Sequence, residues 1–164
     1  MNVVAQDHHV AEFNWGILAD DWGTPTVADF ETNIDRVNDI AMRSPGYVWH
    51  MPSAEMEAAQ KDGDGPLGAN PRLASTLSVW ETAEHLETFV HKTVHSQFMA
   101  RRDKSHIKIS GPTYVVWPVT VGHRPTISEA VERLGTLGEN GPSSEAFDFG
   151  WLRENRSPTK GAQC

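Results

Sequence analysis

The chain has little cysteine, tyrosine or positive charge, and each shortage removes a class of function. Its one cysteine, Cys164, is the last of 164 residues, so an intrachain disulfide and a thiolate metal cage are both excluded. Fourteen Lys and Arg face 22 Asp and Glu, a formal net charge of −8. Nucleic-acid backbones and anionic membranes are held by concentrated positive charge, so neither is an expected partner. No apolar run approaches the ~20 residues that cross a bilayer, and residues 1–7 lack the basic and apolar stretches of a signal peptide. The expectation is a cytoplasmic protein. Tryptophan is plentiful instead: six, against two tyrosines.

The length suits one domain of roughly 100–200 residues, drawn here over residues 1–152, with residues 153–164 as a disordered tail poor in apolar anchors. Residues 9–16 (HVAEFNWG) alternate, with Phe13 and Trp15 on one side and Glu12 and Asn14 on the other, which predicts a strand. Thr26 and Asp29 resemble a capping box, and Val27, Phe30, Ile34, Val37 and Ala41 form a helical stripe that ends at Ser44-Pro45-Gly46. Residues 47–51 form a second strand, with Tyr47, Trp49 and Met51 facing one way and Val48 and His50 the other. Residues 52–71 exceed ordinary loop length and read as a flap or mobile excursion holding a turn or two of helix.

Residues 72–81 form a third strand whose Thr76 and Ser78 leave room on the side of Trp80. Leu86, Phe89, Val90, Val94 and Phe98 then form a helical stripe, and residues 113–119 a fourth strand in which Pro118 marks a sheet edge. Thr126 and Glu129 make a capping box for an accessory helix, and Phe147, Phe149 and Trp151 alternate over a short extended piece. The order is βαββαβ, a ferredoxin-like α+β arrangement with a four-stranded antiparallel sheet. Its two helices cover one face, yet the strands are apolar on both. A homodimer packing sheet on sheet would cover the second.

The segments AEFNWG, IDRVNDIAMRSPGYVW, LSVWET and VVWPVTVGHRPTISEAVERLGTLGENGPSSEAFDF resemble the bacterial family catalogued as domain of unknown function 3291. The resemblance runs from Ala11 to Phe149 and is most specific in GHRPT and the helix after it. It implies the dimeric α/β-barrel superfamily, which includes antibiotic-biosynthesis monooxygenases, stress-response proteins and haem-degrading or haem-binding enzymes. It implies a dimer with a ligand cavity against each sheet, and matches the family's tryptophan and histidines to Trp117, His123 and His95. The long 52–71 connection and the SHIKISGP stretch depart from the family pattern.

Several residues carry candidate chemistry. His91 and His95, four apart on a helix, reach one side and are candidates for a metal, haem or substrate oxygen, with Glu87 one turn earlier as a third group. The competing reading leaves them as structural or surface histidines. His50, among apolar strand residues, suits an acid, a base or a haem ligand, because its ordinary pKa near ~6.5 gives access to both protonation states; a satisfied structural histidine is the alternative. The Asn14 amide is placed to donate to a substrate oxygen and stabilise a developing enolate. Trp80 is the stronger pocket tryptophan, Trp49 reads as packing and Trp117 stays open. His123 and Arg124 either meet an anionic ligand or anchor the accessory helix.

The combined reading is a monooxygenase-like or cyclase/isomerase-like enzyme acting on an apolar, aromatic or polyketide-like small molecule. Its catalytic candidates are His50, His91, His95 and Asn14, its substrate contacts Trp80, Trp117, His123 and Arg124. No cofactor is specified. Two alternatives remain, a non-catalytic small-molecule or haem-binding stress-associated protein and a structural dimer without ligand.

Overall fold

The computed structural model describes residues 8–92 and 106–155. Strand β1 (His8–Ile17) leads through a 3₁₀ turn (Pro25–Val27) into helix α1 (Ala28–Met42). The Thr26 hydroxyl does not cap α1 but lies 3.5 Å from Asp20 Oδ2, and the chain enters the helix through the proline-led turn. At Gly46, φ is +83° and a Cβ would run into the His85 ring, so this turn requires glycine. Strand β2 (Tyr47–His50), helix α2 (Ser53–Lys61), strand β3 (Leu73–Trp80) and helix α3 (Ala83–Lys92) follow. Strand β4 (Tyr114–Thr120), helix α4 (Ile127–Asn140) and helix α5 (Phe149–Asn155) complete the described chain.

The four strands form one antiparallel sheet in the order β2-β3-β1-β4, which is the ferredoxin-like order. Pro118 lies on edge strand β4, where its missing N–H is tolerated. Part of that edge is closed by Phe147, which exchanges two 2.8 Å backbone hydrogen bonds with Val116.

Alternation splits the strands between two layers. Ala11, Phe13, Leu77, Val79, Val115 and Trp117 pack with Met56 of α2 and with Ile127, Ala130 and Leu137 of α4. On the opposite side Trp80 and Val116 pack with Ala41 of α1, with Leu86 and Phe89 of α3, and with Phe149 and Leu152 of α5. Phe13 and Leu77 are 1% exposed, and Trp117 is fully buried. The chain's own α2 and α4 therefore cover the sheet face that was expected to need a second copy, and two-faced strands do not by themselves require a homodimer.

Helix α4 begins as its capping box predicts, with Thr126 Oγ1 accepting from Glu129 N at 3.2 Å. Two expectations need correction. Phe149 and Trp151 lie in a helix, not an extended piece, because the Tyr114 hydroxyl accepts from Phe149 N at 2.8 Å and Asp148 Oδ1 accepts from Trp151 N at 2.8 Å. Arg153 belongs to that helix and donates to Glu87 Oε2 at 3.0 Å, so ordered structure passes the boundary drawn at residue 152. Among the described residues no helix is long and apolar enough to cross a membrane.

Candidate active site

A cavity of about 890 Å³ lies between the sheet and helices α1 and α3 and extends to Met56 and Gln60 of α2, within the ~300–1,000 Å³ typical of small-molecule sites. It exists because Glu12, Asn14, Thr76 and Ser78 of the sheet are too short or too polar to fill the space facing Phe30, Ile34 and Val37 of α1. One end is aromatic. Trp80 stacks on Phe89 with ring centroids 5.0 Å apart, and Tyr47 meets Trp80 edge-on at 5.7 Å. The other end carries Trp22, Phe30 and the buried His106, whose ring is edge-on to Phe30 at 4.8 Å.

A polar row crosses the floor. Glu12, only 7% exposed, pairs in register with Ser78 on β3, and Ser78 pairs with His50 on β2. Two strand spacings of ~4.8 Å put the Glu12 and His50 backbones roughly 10 Å apart. Asn14 Nδ2 donates to both Glu12 carboxylate oxygens, at 3.1 and 2.9 Å, and to Thr76 Oγ1 at 2.6 Å. The amide that was expected to meet a substrate oxygen is thus spent on holding Glu12. Trp80 Nε1 donates to Ser78 Oγ at 3.0 Å, so the Ser78 hydroxyl proton can serve a ligand.

The second strand departs from simple alternation. Its register slips between Tyr47 and Trp49, and the extra residue, Val48, is 38% exposed. Tyr47 and His50 consequently share the cavity face that alternation denied them, and Tyr47 Oη lies 2.7 Å from His50 Nδ1. Burial lowers the His50 pKa below its ordinary value and raises that of the Tyr47 phenol, so both are neutral at pH 7. The 52–71 excursion is also more ordered than expected. Helix α2 seats Gln60 Oε1 2.8 Å from Ser75 N, serving a β3 edge position that the short β2 does not reach.

Other candidates lie elsewhere. His91 is exposed and outside the cavity; Arg153 donates to its Nε2 at 3.3 Å, and its ring is edge-on to Phe149 at 5.2 Å. A ring nitrogen engaged by a guanidinium is a poor metal or haem ligand, and Glu87 is engaged with the same arginine. His95 lies outside the described residues. Among the described residues no group of three or more His, Cys, Asp or Glu side chains could hold a metal ion.

Trp117 is core under α4, where its Nε1 donates to Glu129 Oε2 at 2.9 Å. His123 Nε2 lies 2.8 Å from Glu129 Oε1 and anchors the same helix. Arg124 lies over Trp49, 5.6 Å from the ring centroid, in a groove that shares Met51 with the cavity, and its positive charge acts on the Tyr47 phenol. Trp80, Asn14 and His50 line the cavity. Glu12 and His106 were passed over as site residues. Glu12 had a visible signal, a carboxylate at mid-strand on the Asn14 side; His106 had none.

The chain matches, over residues 9–162, the family described as Domain of unknown function (DUF3291). It belongs to that family. The GHRPT motif builds the turn into α4, with His123, Thr126 and Glu129 making the anchor just described. No curated protein matches significantly. Solved structures with a similar chain path include SnoaB, a cofactor-independent oxygenase from Streptomyces nogalater, at 15% identity and a TM-score of 0.45, covering 75% of this chain and 99% of that one. NE2512, a protein of unknown function from Nitrosomonas europaea, aligns at 11% identity and a TM-score of 0.46, covering 74% and 96%.

Proposed function

We propose that the chain is an enzyme that removes a proton from a carbon next to a carbonyl in a flat, apolar, aromatic or polyketide-like molecule. The observation that carries this reading is a buried carboxylate, Glu12, held by Asn14 on the floor of an aromatic-walled cavity. Glu12 accepts the proton, Asn14 positions its oxygens, and the stacked Trp80 and Phe89 close the aromatic end of the cavity. The enolate then leads to isomerised or cyclised product. With dioxygen as co-substrate, the CH₂ becomes a new carbonyl, one oxygen atom entering the product and the other leaving as water with both hydrogens.

The test uses 2-tetralone in deuterated buffer, followed by NMR. Exchange of its acidic hydrogens above the buffer rate, lost in Glu12→Gln, supports an enzyme. No acceleration rejects it in favour of a ligand-binding protein without turnover. A homodimer, implied by the family resemblance, is part of the proposal and would use a surface other than the face under α4. Light scattering at micromolar concentration gives twice 18.2 kDa for a dimer, and the monomer mass removes it.

A further inference from the structure

We infer that His50 serves the cavity as a hydrogen-bond donor through Nε2–H, set in that tautomer by Tyr47, and that the ligand presents a carbonyl or comparable acceptor oxygen to His50 and Ser78. This rests on the proposed function and names the group its substrate must carry.

The register slip at Val48 is the structural cause. A regular β2 would turn Tyr47 and His50, three residues apart, to opposite faces; the extra residue brings them to the same one. Both rings are then fixed. Tyr47 is edge-on to Trp80 at 5.7 Å and tilted against the His50 ring at 5.8 Å, with its hydroxyl 2.7 Å from Nδ1.

Two proton placements fit that distance, and chemistry separates them. An imidazole nitrogen is a far better acceptor than a phenol oxygen, and a phenol is the better donor. If Nδ1–H donated to Tyr47 instead, the half-buried phenolic proton would have no protein acceptor: the other group that hydrogen-bonds Oη, the His50 backbone N–H, is itself a donor. Tyr47 therefore donates to Nδ1, and the neutral ring carries its one proton on Nε2. Burial acts in the same direction, disfavouring both the imidazolium and the phenolate.

The neighbours complete the arrangement. Ser78 lies between His50 and Glu12 in the strand register, and its oxygen is occupied by Trp80 Nε1, which leaves its hydroxyl proton for a ligand. Two donors thus stand on the β2–β3 side of the row and one carboxylate on the β1 side. A carbonyl oxygen held by the donors and an adjacent C–H directed at Glu12 span that row. His50 stabilises negative charge on oxygen and takes no proton from carbon. Tyr47, acting through His50, is a positioning residue.

Nitrogen-15 NMR of histidine-labelled protein reads the tautomer directly, with His50 assigned by its loss in His50→Gln. The wild type is expected to protonate Nε2, and Tyr47→Phe to populate Nδ1–H. Fluorenone and fluorene, three-ring molecules that differ only as C=O and CH₂, read the donor. Tyr47→Phe and His50→Leu should each weaken fluorenone roughly ten-fold and leave fluorene unchanged. His50→Gln, which keeps an N–H donor, should recover most of the preference. An Nδ1–H ring in the wild type, or equal loss of both probes in the variants, overturns the inference. Tetralone exchange that persists alongside either result leaves the proposed function standing; failure of the wild type to bind either probe removes the cavity reading itself.

Discussion

The two faces of the sheet start from similar material and end differently. Val79-Trp80 and Val116-Trp117 are the same dipeptide on neighbouring layers, and both tryptophans are almost wholly buried. Trp117 has Phe13, Leu77 and α4 around it and fills a core; its indole N–H ends on Glu129. Trp80 shares its face with Glu12, Asn14, Thr76 and Ser78 and becomes the wall of a cavity. The difference lies in the residues two positions away along each strand. Burial alone does not separate a structural tryptophan from one at a binding site.

That contrast breaks most readily at Glu12. Glu12→Gln is expected to slow tetralone exchange by roughly 10²-fold or more while the melting temperature changes little. A variant that retains the rate removes Glu12 as base and makes the two faces chemically alike. On the filled face, Phe13→Ala should destabilise by about 3–5 kcal/mol in urea titration and leave fluorenone affinity per folded molecule unchanged. A selective loss of binding there would mean that the layers are not separate.

A milder change sharpens the comparison. Ser78→Leu fills the cavity where the floor is small, so binding of both three-ring probes should fall at least ten-fold, while the buried Trp80 indole N–H loses its acceptor and stability falls by about 1–3 kcal/mol. Glu129→Ala leaves the buried Trp117 indole N–H without its acceptor and should cost about 1–3 kcal/mol without touching binding.

The smallest effect is a dependence on pH. Burial pushes the Glu129 carboxyl up, but hydrogen bonds from His123 and Trp117 outweigh it and hold its pKa below the ordinary value. A depressed folded value means that this stabilisation is present above the unfolded pKa and fades as pH falls through the folded one. Acid melting curves of Glu129→Gln should therefore drop less steeply than those of wild type, and parallel curves would contradict this role.

Much of the fold was legible because it is written in periodicity and turn chemistry. Period-2 runs gave all four strands, the proline at 118 marked an edge, and Thr126 and Glu129 marked the start of α4. The site was harder. A bulge adds one residue with no composition signal, so Val48 hid the pairing of Tyr47 with His50. Apolar stripes show that a helix is buried and not what it is buried against, which is why α4 was not seen as the cover of the second face. His91 on α3 looked catalytic by its spacing from His95, but its neighbours depend on Arg153, distant in sequence and brought near by α5. GHRPT, the most specific motif, serves mainly to fasten α4, and bears on the cavity through the charge of Arg124 on Tyr47.

The central claim is that the α1/α3 side of the sheet receives a flat ligand and the α4 side does not. Titrating ¹⁵N-labelled protein with fluorenone and following the tryptophan indole N–H signals tests it within one spectrum. The account predicts that the Trp80 signal shifts with saturation while that of Trp117 stays in place. Movement of Trp117 with an unmoved Trp80 would contradict it.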